Sequence, residues 1–429
     1  MKYAAAKAPL IGVAFYLALI VPLEFSVTLG GLRLSPYRVV LLLAFVPLLL
    51  RMVRENKLNA ADYLITAHAL WALLALCLYG GLASGIESGG IYIVESLGAY
   101  LLGRMAVTSP ETSRAMLQFM LTVLALMAVF TLPESLTGIH FLREASRAVM
   151  GGSALPIIEP RLGLHRAFGS FDHPILYGVF AASTFAAAYY VIGKERLKMR
   201  ALAVLGLIAG SAFVSLSAGP FVALACQGLV LGWDRITKGI QMRWSILISG
   251  ILLMWVAVTL ASNRGFVKVF ISYFTFSPQS AYNRTLIWDY GSAEVARHPM
   301  FGIGLGDWIR APWMSDSMDN FWLLTAVRYG LPALMFLVGA IIYIGIKQAQ
   351  MVSRDKELNR FRMGWLAIMV GLAVSGVTVH FWNALFAYFF FLIGTGVWMT
   401  RPVTHHSKIM LLARLAATLP PQPVLKKQH

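Results

Sequence analysis

The chain has 429 residues, of which 58% are hydrophobic and only 13% are charged, yet its formal net charge is +17 at pH 7. Runs of roughly 20 apolar residues recur along it, more than a soluble core requires and typical of helices that cross a bilayer. The alternating pattern of a transmembrane barrel is absent. Both cysteines, Cys77 and Cys226, lie inside apolar runs, so neither a disulfide framework nor a cysteine metal site is expected.

The positive charge lies mainly in short segments between the apolar runs. This distribution is the one that membrane orientation requires, so no nucleic-acid partner is expected. We predict an all-α polytopic membrane protein of about twelve transmembrane helices with both termini cytoplasmic. A single membrane domain would cover 1–400. The basic tail, 401–429, would be cytoplasmic, and its segment 407–415 could form an amphipathic helix on the inner leaflet or belong to a disordered tail.

In chain order, the apolar runs predict twelve spans: 10–29, 36–50, 61–80, 91–107, 115–132, 172–193, 201–217, 219–233, 244–261, 320–346, 363–379 and 381–400. Most lysines and arginines then lie on one side, which the positive-inside rule makes cytoplasmic. The opposite, periplasmic side has two long loops, about 133–171 and 262–319, in which we expect short amphipathic helices. Long loops on one face commonly carry function.

The basic residues of these two long loops are nearly all arginine, with Lys268 as the exception. Arginine keeps its charge, and its planar fork of five donors matches phosphate oxygens. Positive charge that persists on the side where it is disfavoured requires a reason. We therefore expect an anionic ligand that approaches from the periplasmic side.

The first candidate site comes just before the predicted sixth span. Arg161 and Arg166 could bind phosphate there, Gly169 would allow close approach of the backbone, and Pro174 would begin the helix. A helix-entry turn with solvated arginines explains the same residues equally well. The segment alone does not separate these interpretations.

The second candidate site is a polar stretch from Tyr282 to Pro332 between two apolar runs. From Arg284 to Arg297 it is predicted to be an amphipathic helix that ends before Pro299, since a residue preceding proline disfavours the helical conformation. Arg284 and Trp288 lie four residues apart and so share a helix face. Packing of the guanidinium on the indole explains this spacing, and so does an arginine directed at pyrophosphate.

The glycines that follow this helix, Gly302, Gly304 and Gly306, resemble a dinucleotide-binding loop only superficially, because no βαβ unit surrounds them. They could instead form a turn whose backbone N–H groups approach a ligand. Asp319 and Asn320 begin the tenth span, where both could cap the helix.

Two further roles remain open in this stretch. Asp319 could equally be a general base or could orient a sugar hydroxyl. Arg328, about two turns into the same apolar run, should face a polar cavity, since a charge is costly in the bilayer. Four other polar residues within or beside apolar runs are interpreted as structural contacts: Glu24, His68, Glu95 and His380.

Taken in order, these motifs resemble the O-antigen ligase and polymerase superfamily, which includes the Wzy-type polymerases and the WaaL-type lipopolysaccharide ligases. That family has R-x-G-x-F-x-x-P-like, R-x-x-x-W and P-x-x-G-x-G motifs, then a polar-Asn pair and a Gly-Leu-Pro or Gly-Leu-Gly turn. The matching segments here are Arg166 to Pro174, Arg284 to Trp288, Pro299 to Gly304, Asp319-Asn320 and Gly330-Leu331-Pro332.

The resemblance implies a metal-independent glycosyl transfer without a cofactor, at the periplasmic face of the bacterial inner membrane. The donor would be a glycan on undecaprenyl pyrophosphate, and the acceptor a sugar hydroxyl on a second such lipid. Arg166 and Arg284 would clamp the pyrophosphate, and Asp319 would take or orient the acceptor proton. The remaining residues assigned to substrate binding are Arg161, Trp288, Gly302, Gly304, Asn320 and Arg328.

An aspartate at 319, where the ligases have a histidine, favours a polymerase that joins repeat units into exopolysaccharide or O-antigen. A chain-length regulator and export proteins would then be its partners. The alternatives are a ligase that moves glycan to a lipid or protein acceptor, a transporter of lipid-linked oligosaccharide, and a structural subunit of an export complex.

Overall fold

A computed structural model describes residues 7–29, 32–55, 57–152, 154–274, 278–351 and 355–401. The tail segment 407–415 lies outside these ranges. The first half contains α1 (Leu10–Leu19), β1 (Val27–Leu29), β2 (Leu32–Leu34), α2 (Pro36–Arg54), α3 (Ala60–Gly80), α4 (Leu82–Ile93), a π-helical turn (Val94–Gly98), α5 (Ala99–Ala106), α6 (Pro110–Thr137) and α7 (Phe141–Met150).

The second half continues with α8 (Pro174–Ala182), α9 (Phe185–Ala187), α10 (Met199–Phe213), α11 (Ala218–Ile236), α12 (Arg243–Ala261), α13 (Gly265–Tyr273), α14 (Pro278–Arg297), α15 (Phe321–Gln350), α16 (Lys356–Ser375) and α17 (Ala384–Thr395). A second π-helical turn, Ala188–Ile192, extends α9. Helices therefore dominate the described chain, as predicted.

Six helical segments are long and apolar enough to cross a membrane by length and composition: Pro36–Arg54, Ala60–Gly80, Pro110–Thr137, Pro174–Ile192, Arg243–Ala261 and Phe321–Gln350. Three shorter apolar segments accompany them: Leu10–Leu19, Met199–Phe213 and Ala384–Thr400. A bilayer is the solvent that such surfaces require, so the chain has the character of a membrane-embedded protein. The helices α4–α5, α11 and α16 occupy the other three predicted spans.

The first predicted span, 10–29, is wrong in its extent. The helix α1 ends at Leu19, and Pro22 leads into a short 3₁₀ turn, Leu23–Phe25. The antiparallel strands β1 and β2 follow, with Val27 opposite Leu34. Proline lacks an N–H and cannot continue a helix, so this apolar segment forms a hairpin, and the predicted all-α architecture has one small exception.

The helices α17 and α5 pack closely in the core. The side chains of α17 are almost all buried, and the two helices approach backbone to backbone through glycine. A Cβ at Gly103 would lie 2.1 Å from the carbonyl oxygen of Phe391, and one at Gly394 would lie 2.2 Å from that of Tyr100. Small residues at such crossings are how membrane helices gain packing contacts.

The connections between helices gather at two ends of the bundle. We call the first the loop-rich end and define it by 133–173, 214–217, 298–320 and 376–383. Its segments are joined by backbone hydrogen bonds such as Ala167 N–H to Val214 O (2.9 Å) and Phe321 N–H to Gly376 O (2.8 Å). Asn383 Nδ2 also donates to Asp172 Oδ2 at 2.8 Å, so the segment 376–383 contacts the ends of both predicted long loops.

We call the second the basic end and define it by 57–59, 107–114, 193–198 and 355–362. Side chains join its segments: Arg114 pairs with Glu357 and Arg360 with Glu195, while Arg401 donates to the carbonyl of Lys57. These contacts bring four connections between helices together at the basic end.

A kink in α15 attaches the second long loop to the bundle. Gly330 breaks the helix with a φ of 83°, Leu331 N–H donates to Pro299 O at 2.8 Å, and Pro332 has no N–H to donate. The carbonyls of Val327 and Arg328 therefore lose their helical partners.

The glycine-containing loop supplies the missing donors. Ile303 N–H donates to Val327 O at 2.8 Å and Gly304 N–H to Arg328 O at 2.9 Å. Gly302 has a φ of +62°, and a Cβ there would lie 2.3 Å from the Val327 oxygen. Only glycine permits this approach, so the Gly302–Gly304 and Gly330-Leu331-Pro332 motifs are two halves of one contact.

Candidate functional site

Three arginines from two parts of the chain form a cluster at the loop-rich end: Arg161 and Arg166 from the segment before α8, and Arg284 from α14. Arg161 Nη1 donates to Leu216 O at 3.0 Å. Arg166 Nη2 donates to Ser217 Oγ at 2.8 Å. The connection between α10 and α11 thus holds both side chains. We call Arg161, Arg166 and Arg284 the arginine cluster.

The members of the arginine cluster repel one another. Burial and the charges of Arg161 and Arg284 lower the pKa of Arg166 to about 10. Burial also lowers the pKa of Arg284; Asp319 opposes this shift and Arg161 adds to it. At pH 7 Arg166 is still protonated. In the described ranges no carboxylate forms an ion pair with Arg161 or Arg166, so the cluster carries positive charge that an anion would stabilise.

Arg284 is the most constrained member of the cluster. It is only 8% exposed, and its Nη2 lies 4.0 Å from Asp319 Oδ2. Its buried Nε has no hydrogen-bond partner within the described chain. A buried donor without an acceptor is costly, so an oxygen of a bound anion would remove that cost.

The helix α14 ends at Arg297, as predicted, but its buried face differs from the expected apolar stripe. The residues buried are Arg284, Ile287, Gly291 and Glu294, while Ala293 is exposed. Trp288 is partly buried against a small core cluster that includes Ile303 and Trp308. The helix therefore presents Arg284 inward on a turn whose apolar neighbours fix its position.

Glu294, at the other end of this face, was not singled out from the sequence. It accepts hydrogen bonds from Arg297 Nη2 (2.6 Å) and from the backbone N–H of Ile309 (3.0 Å). It thereby holds the end of α14 to the loop that precedes Asp319. The interpretation that follows is structural: Glu294 positions the loop.

Three residues assigned to substrate binding have identified structural contacts. Asn320 Oδ1 accepts from Leu323 N–H at 2.9 Å, which confirms the capping interpretation for this residue. Gly302 and Gly304 form the contact with the kink of α15, and the N–H of Gly304 is used there. Their role in ligand binding stays a prediction.

Asp319 is more open than its neighbours, with its side chain 42% exposed. Ser317 Oγ donates to its Oδ1 at 3.2 Å, and Asn320, rather than Asp319, caps α15. Its carboxylate is therefore free of a capping role and stands beside Arg284 at the edge of the cluster.

Arg328 lines two adjoining cavities, in agreement with the expectation that it faces a polar space. One has a volume of about 580 Å³ and the other about 300 Å³. They share Leu305, Leu324, Arg328 and His380. The larger one is bordered mainly by polar groups, including Asp316 and Ser317. We call these spaces the upper cavity (the larger) and the lower cavity.

A row of three rings, His173, Trp382 and His380, connects the arginine cluster with the cavities. The indole of Trp382 lies 5.8 Å from the His173 ring and 5.5 Å from the His380 ring, measured between centroids. Burial and the charges of Arg166 and Arg161 lower the pKa of His173 to about 4. Burial and Arg328 lower the pKa of His380 to about 3. Both imidazoles are therefore neutral at pH 7.

Sequence reasoning missed this row. His380 was interpreted as a structural contact, and His173 and Trp382 were not assigned a role. The sequence does contain a feature that indicates this row: the polar and aromatic residues His380 to Asn383 separate two apolar runs. Asn383 adopts a φ of +50° and donates from Nδ2 to Asp172 Oδ2 at 2.8 Å, so it holds the row beside the segment of Arg166.

No protein-family model matches this chain, and no match to a curated protein was found. Within the described ranges, no three His, Cys, Asp or Glu side chains form a metal-binding group. The functional assignment therefore depends on the geometry and charge of the site.

Proposed function

We propose that this chain is a glycosyltransferase-type polymerase that joins oligosaccharide repeat units carried on undecaprenyl pyrophosphate. The observation that carries the proposal is the arginine cluster: Arg161 and Arg166 without a carboxylate partner in the described chain, and Arg284 buried with a free Nε. A guanidinium group can donate two parallel hydrogen bonds to two oxygens of one phosphate group. Beside them, the upper cavity supplies polar space for sugars.

The proposal includes an orientation in the bacterial inner membrane. The twelve helical segments would cross the bilayer, the basic end would face the cytoplasm, and the loop-rich end would face the periplasm. The charge distribution supports this arrangement because lysine and arginine are retained in cytoplasmic loops. The arginine cluster is then accessible to glycans that have already been exported.

In the reaction, an acceptor hydroxyl oxygen attacks the anomeric carbon of the donor sugar. A new glycosidic bond forms, the bond between that carbon and the pyrophosphate oxygen breaks, and its electron pair leaves with the pyrophosphate. The fixed charges of Arg166 and Arg284 stabilise the departing anion without reorganisation of solvent. Arg161 adds its charge from the same side.

Asp319 is the group suited to the acceptor proton. It is exposed enough to meet an incoming hydroxyl, and Arg284 beside it, with 4.0 Å between Nη2 and Oδ2, couples it to the leaving-group site. It either accepts the proton or orients the hydroxyl while water takes the proton. Neutral His173 and His380 contribute hydrogen bonding and not charge.

The test is Arg284→Lys in a strain that lacks the native protein. Lysine keeps the charge and loses the bidentate fork, so polymer formation should fall about 100-fold, as when one electrostatic donor is removed from an active site. Lipid-linked single units should accumulate in the periplasmic leaflet while the protein level stays unchanged. Gel analysis of glycans and lipid-linked intermediates measures both.

The matched control is Arg264→Lys, an exposed arginine just before α13, for which normal polymer is expected. Near-normal polymer in Arg284→Lys would refute the mechanism. Complete chains that stay on the lipid carrier in the deletion strain would indicate a ligase. Single units confined to the cytoplasmic leaflet would indicate a transporter.

A further inference from the structure

A third space, which we call the side groove, opens between the β1–β2 hairpin, α2 and α4. Its volume is about 340 Å³. Its walls are mostly apolar, and the residues that line it are Leu32, Leu34, Leu42, Gly90, Ile91 and Val94, with Arg38 and Glu87. On α2, the nearby Leu43 and Val46 are exposed. Such surface suits hydrocarbon, so the groove opens toward lipid.

The side groove adjoins the lower cavity, which in turn adjoins the polar upper cavity. Arg38 and Ile91 line both the groove and the lower cavity, and Arg328 and His380 line both the lower and upper cavities. A molecule can therefore extend from an apolar groove, past two arginines, into polar space. This sequence of environments matches a lipid chain, a phosphate group and a glycan in that order.

The junction is built around Glu95 on the π-helical turn. Glu95 Oε1 accepts from Tyr37 OH at 2.6 Å and from Arg38 Nε at 2.7 Å, and Arg38 Nη1 donates to Arg33 O at 2.7 Å. These bonds use two of the five N–H donors of the Arg38 guanidinium and fix its plane. π-helical turns inside α-helices occur frequently at functional sites.

Arg328 supplies the unneutralised charge at this junction. No carboxylate within the described residues forms an ion pair with it, whereas Glu95 balances Arg38. A phosphate group placed between Arg38 and Arg328 would meet a net positive site at the end of an apolar groove. The negative charge of such a phosphate group would therefore complement the positive charge of Arg328 at the junction.

We propose that the side groove binds the polyprenyl chain of the acceptor, a second lipid-linked glycan whose phosphate group lies near Arg38 and Arg328 and whose sugars extend into the cavities. This inference rests on the proposed function, because joining two lipid-linked units requires two lipid positions. The arginine cluster, formed by other elements, then serves the donor pyrophosphate. The acceptor hydroxyl meets the donor sugar from the cavity side.

Gly90 provides a direct test, because a Cβ added there meets no heavy atom within 4 Å. In Gly90→Phe the Cβ would meet no neighbour, and the ring would occupy space in the groove that Gly90 lines. A ring in the groove leaves no room for the polyprenyl chain, so polymer yield should fall at least about tenfold, which corresponds to about 1.4 kcal/mol of lost binding. Gly206→Phe on α10, where a Cβ also meets nothing within 4 Å, is the matched control and should remain within about twofold of the unsubstituted protein.

A photoactivatable polyprenyl pyrophosphate, incorporated with the purified full chain into nanodiscs, measures occupancy. Adducts on α2 and α4 are expected in the native protein and in Gly206→Phe, and their loss is expected in Gly90→Phe. A phosphatidylglycerol probe with the same photoreactive group is the second arm. Equal labelling of the groove by both probes would show bilayer lipid only and would overturn the inference.

The outcomes separate this inference from the proposed function. Normal polymer in Gly90→Phe together with loss in Arg284→Lys would remove the acceptor groove and leave the polymerase. Normal polymer in both variants would refute the arginine mechanism as well as the acceptor groove. Loss in both, with groove adducts specific to the polyprenyl probe, is the expected result.

Discussion

The two ends of the bundle use buried arginine in opposite ways. At the basic end Arg104 is 6% exposed, and at the loop-rich end Arg284 is 8% exposed. Arg104 bonds to Asp62 through Nε and, at 2.8 Å, through Nη2. Arg284 has its nearest paired carboxylate oxygen at 4.0 Å and leaves Nε without a partner in the described chain.

The difference indicates that the buried arginine is structural at the basic end and available to a ligand at the loop-rich end. The Asp62 carboxylate also accepts from Tyr100 OH at 2.7 Å, and the carbonyl of Lys57 takes a further Arg104 donor. This network holds α3 to α5 and neutralises the charge of Arg104, so the pair offers no net charge to a ligand. The arginine cluster retains the donors and the charge that a buried structural pair would satisfy, so its natural complement is an anion from outside the chain.

The largest expected effect concerns stability at the basic end. In Arg104→Ala, Asp62 would stay buried without its cation, at a cost of about 3–5 kcal/mol. Folded protein in the membrane should drop sharply. Arg284→Ala, in contrast, removes a group that is poorly satisfied, and protein level and melting temperature should change little. Adding Asp62→Asn to Arg104→Ala should recover part of the loss; equal destabilisation by the two alanine variants would contradict the comparison.

Binding of an anion at the loop-rich end should stabilise the folded protein, and this effect should be smaller than the loss of stability in Arg104→Ala. Inorganic pyrophosphate at about 100 times its dissociation constant should stabilise the native protein by about 2.7 kcal/mol, since it binds only the folded state. We expect the rise in melting temperature to disappear in Arg284→Gln and to persist in Arg114→Gln, which breaks the pair with Glu357. The same rise in both variants would mean that the anion binds elsewhere.

A third prediction concerns a pH dependence at the loop-rich end. The folded pKa values of about 4 for His173 and about 3 for His380 lie below the usual 6.5, so between pH 6.5 and 4 the unfolded chain binds protons that the folded chain does not. Stability is therefore full above pH 6.5 and falls as the pH is lowered, by at most about 1.4 kcal/mol per pH unit for each histidine.

His380→Gln removes one of these protons and should flatten the decline in melting temperature across that range. His405→Gln, in the basic tail outside the described residues, serves as the control and should leave the slope unchanged. An unaltered slope in His380→Gln would show that other groups dominate the acid response.

Local sequence was sufficient for the features that depend on composition and on backbone chemistry. Apolar runs predicted long helices with the character of membrane spans, because this follows from the solvent that each segment prefers. The end of α14 followed from the proline at 299. The first apolar run was misread beyond Leu19 because composition does not show where a chain turns into a hairpin.

Tertiary structure alone decided which polar residues meet. The sequence marked Arg161, Arg166 and Arg284 separately, but only the fold brings them within mutual electrostatic reach. It also shows that Gly302 and Gly304 serve the kink of α15, and that rings from distant segments form a row through Trp382. The physical reason is that side-chain partners across helices depend on packing angles and on loop paths, which a pattern within one segment does not encode.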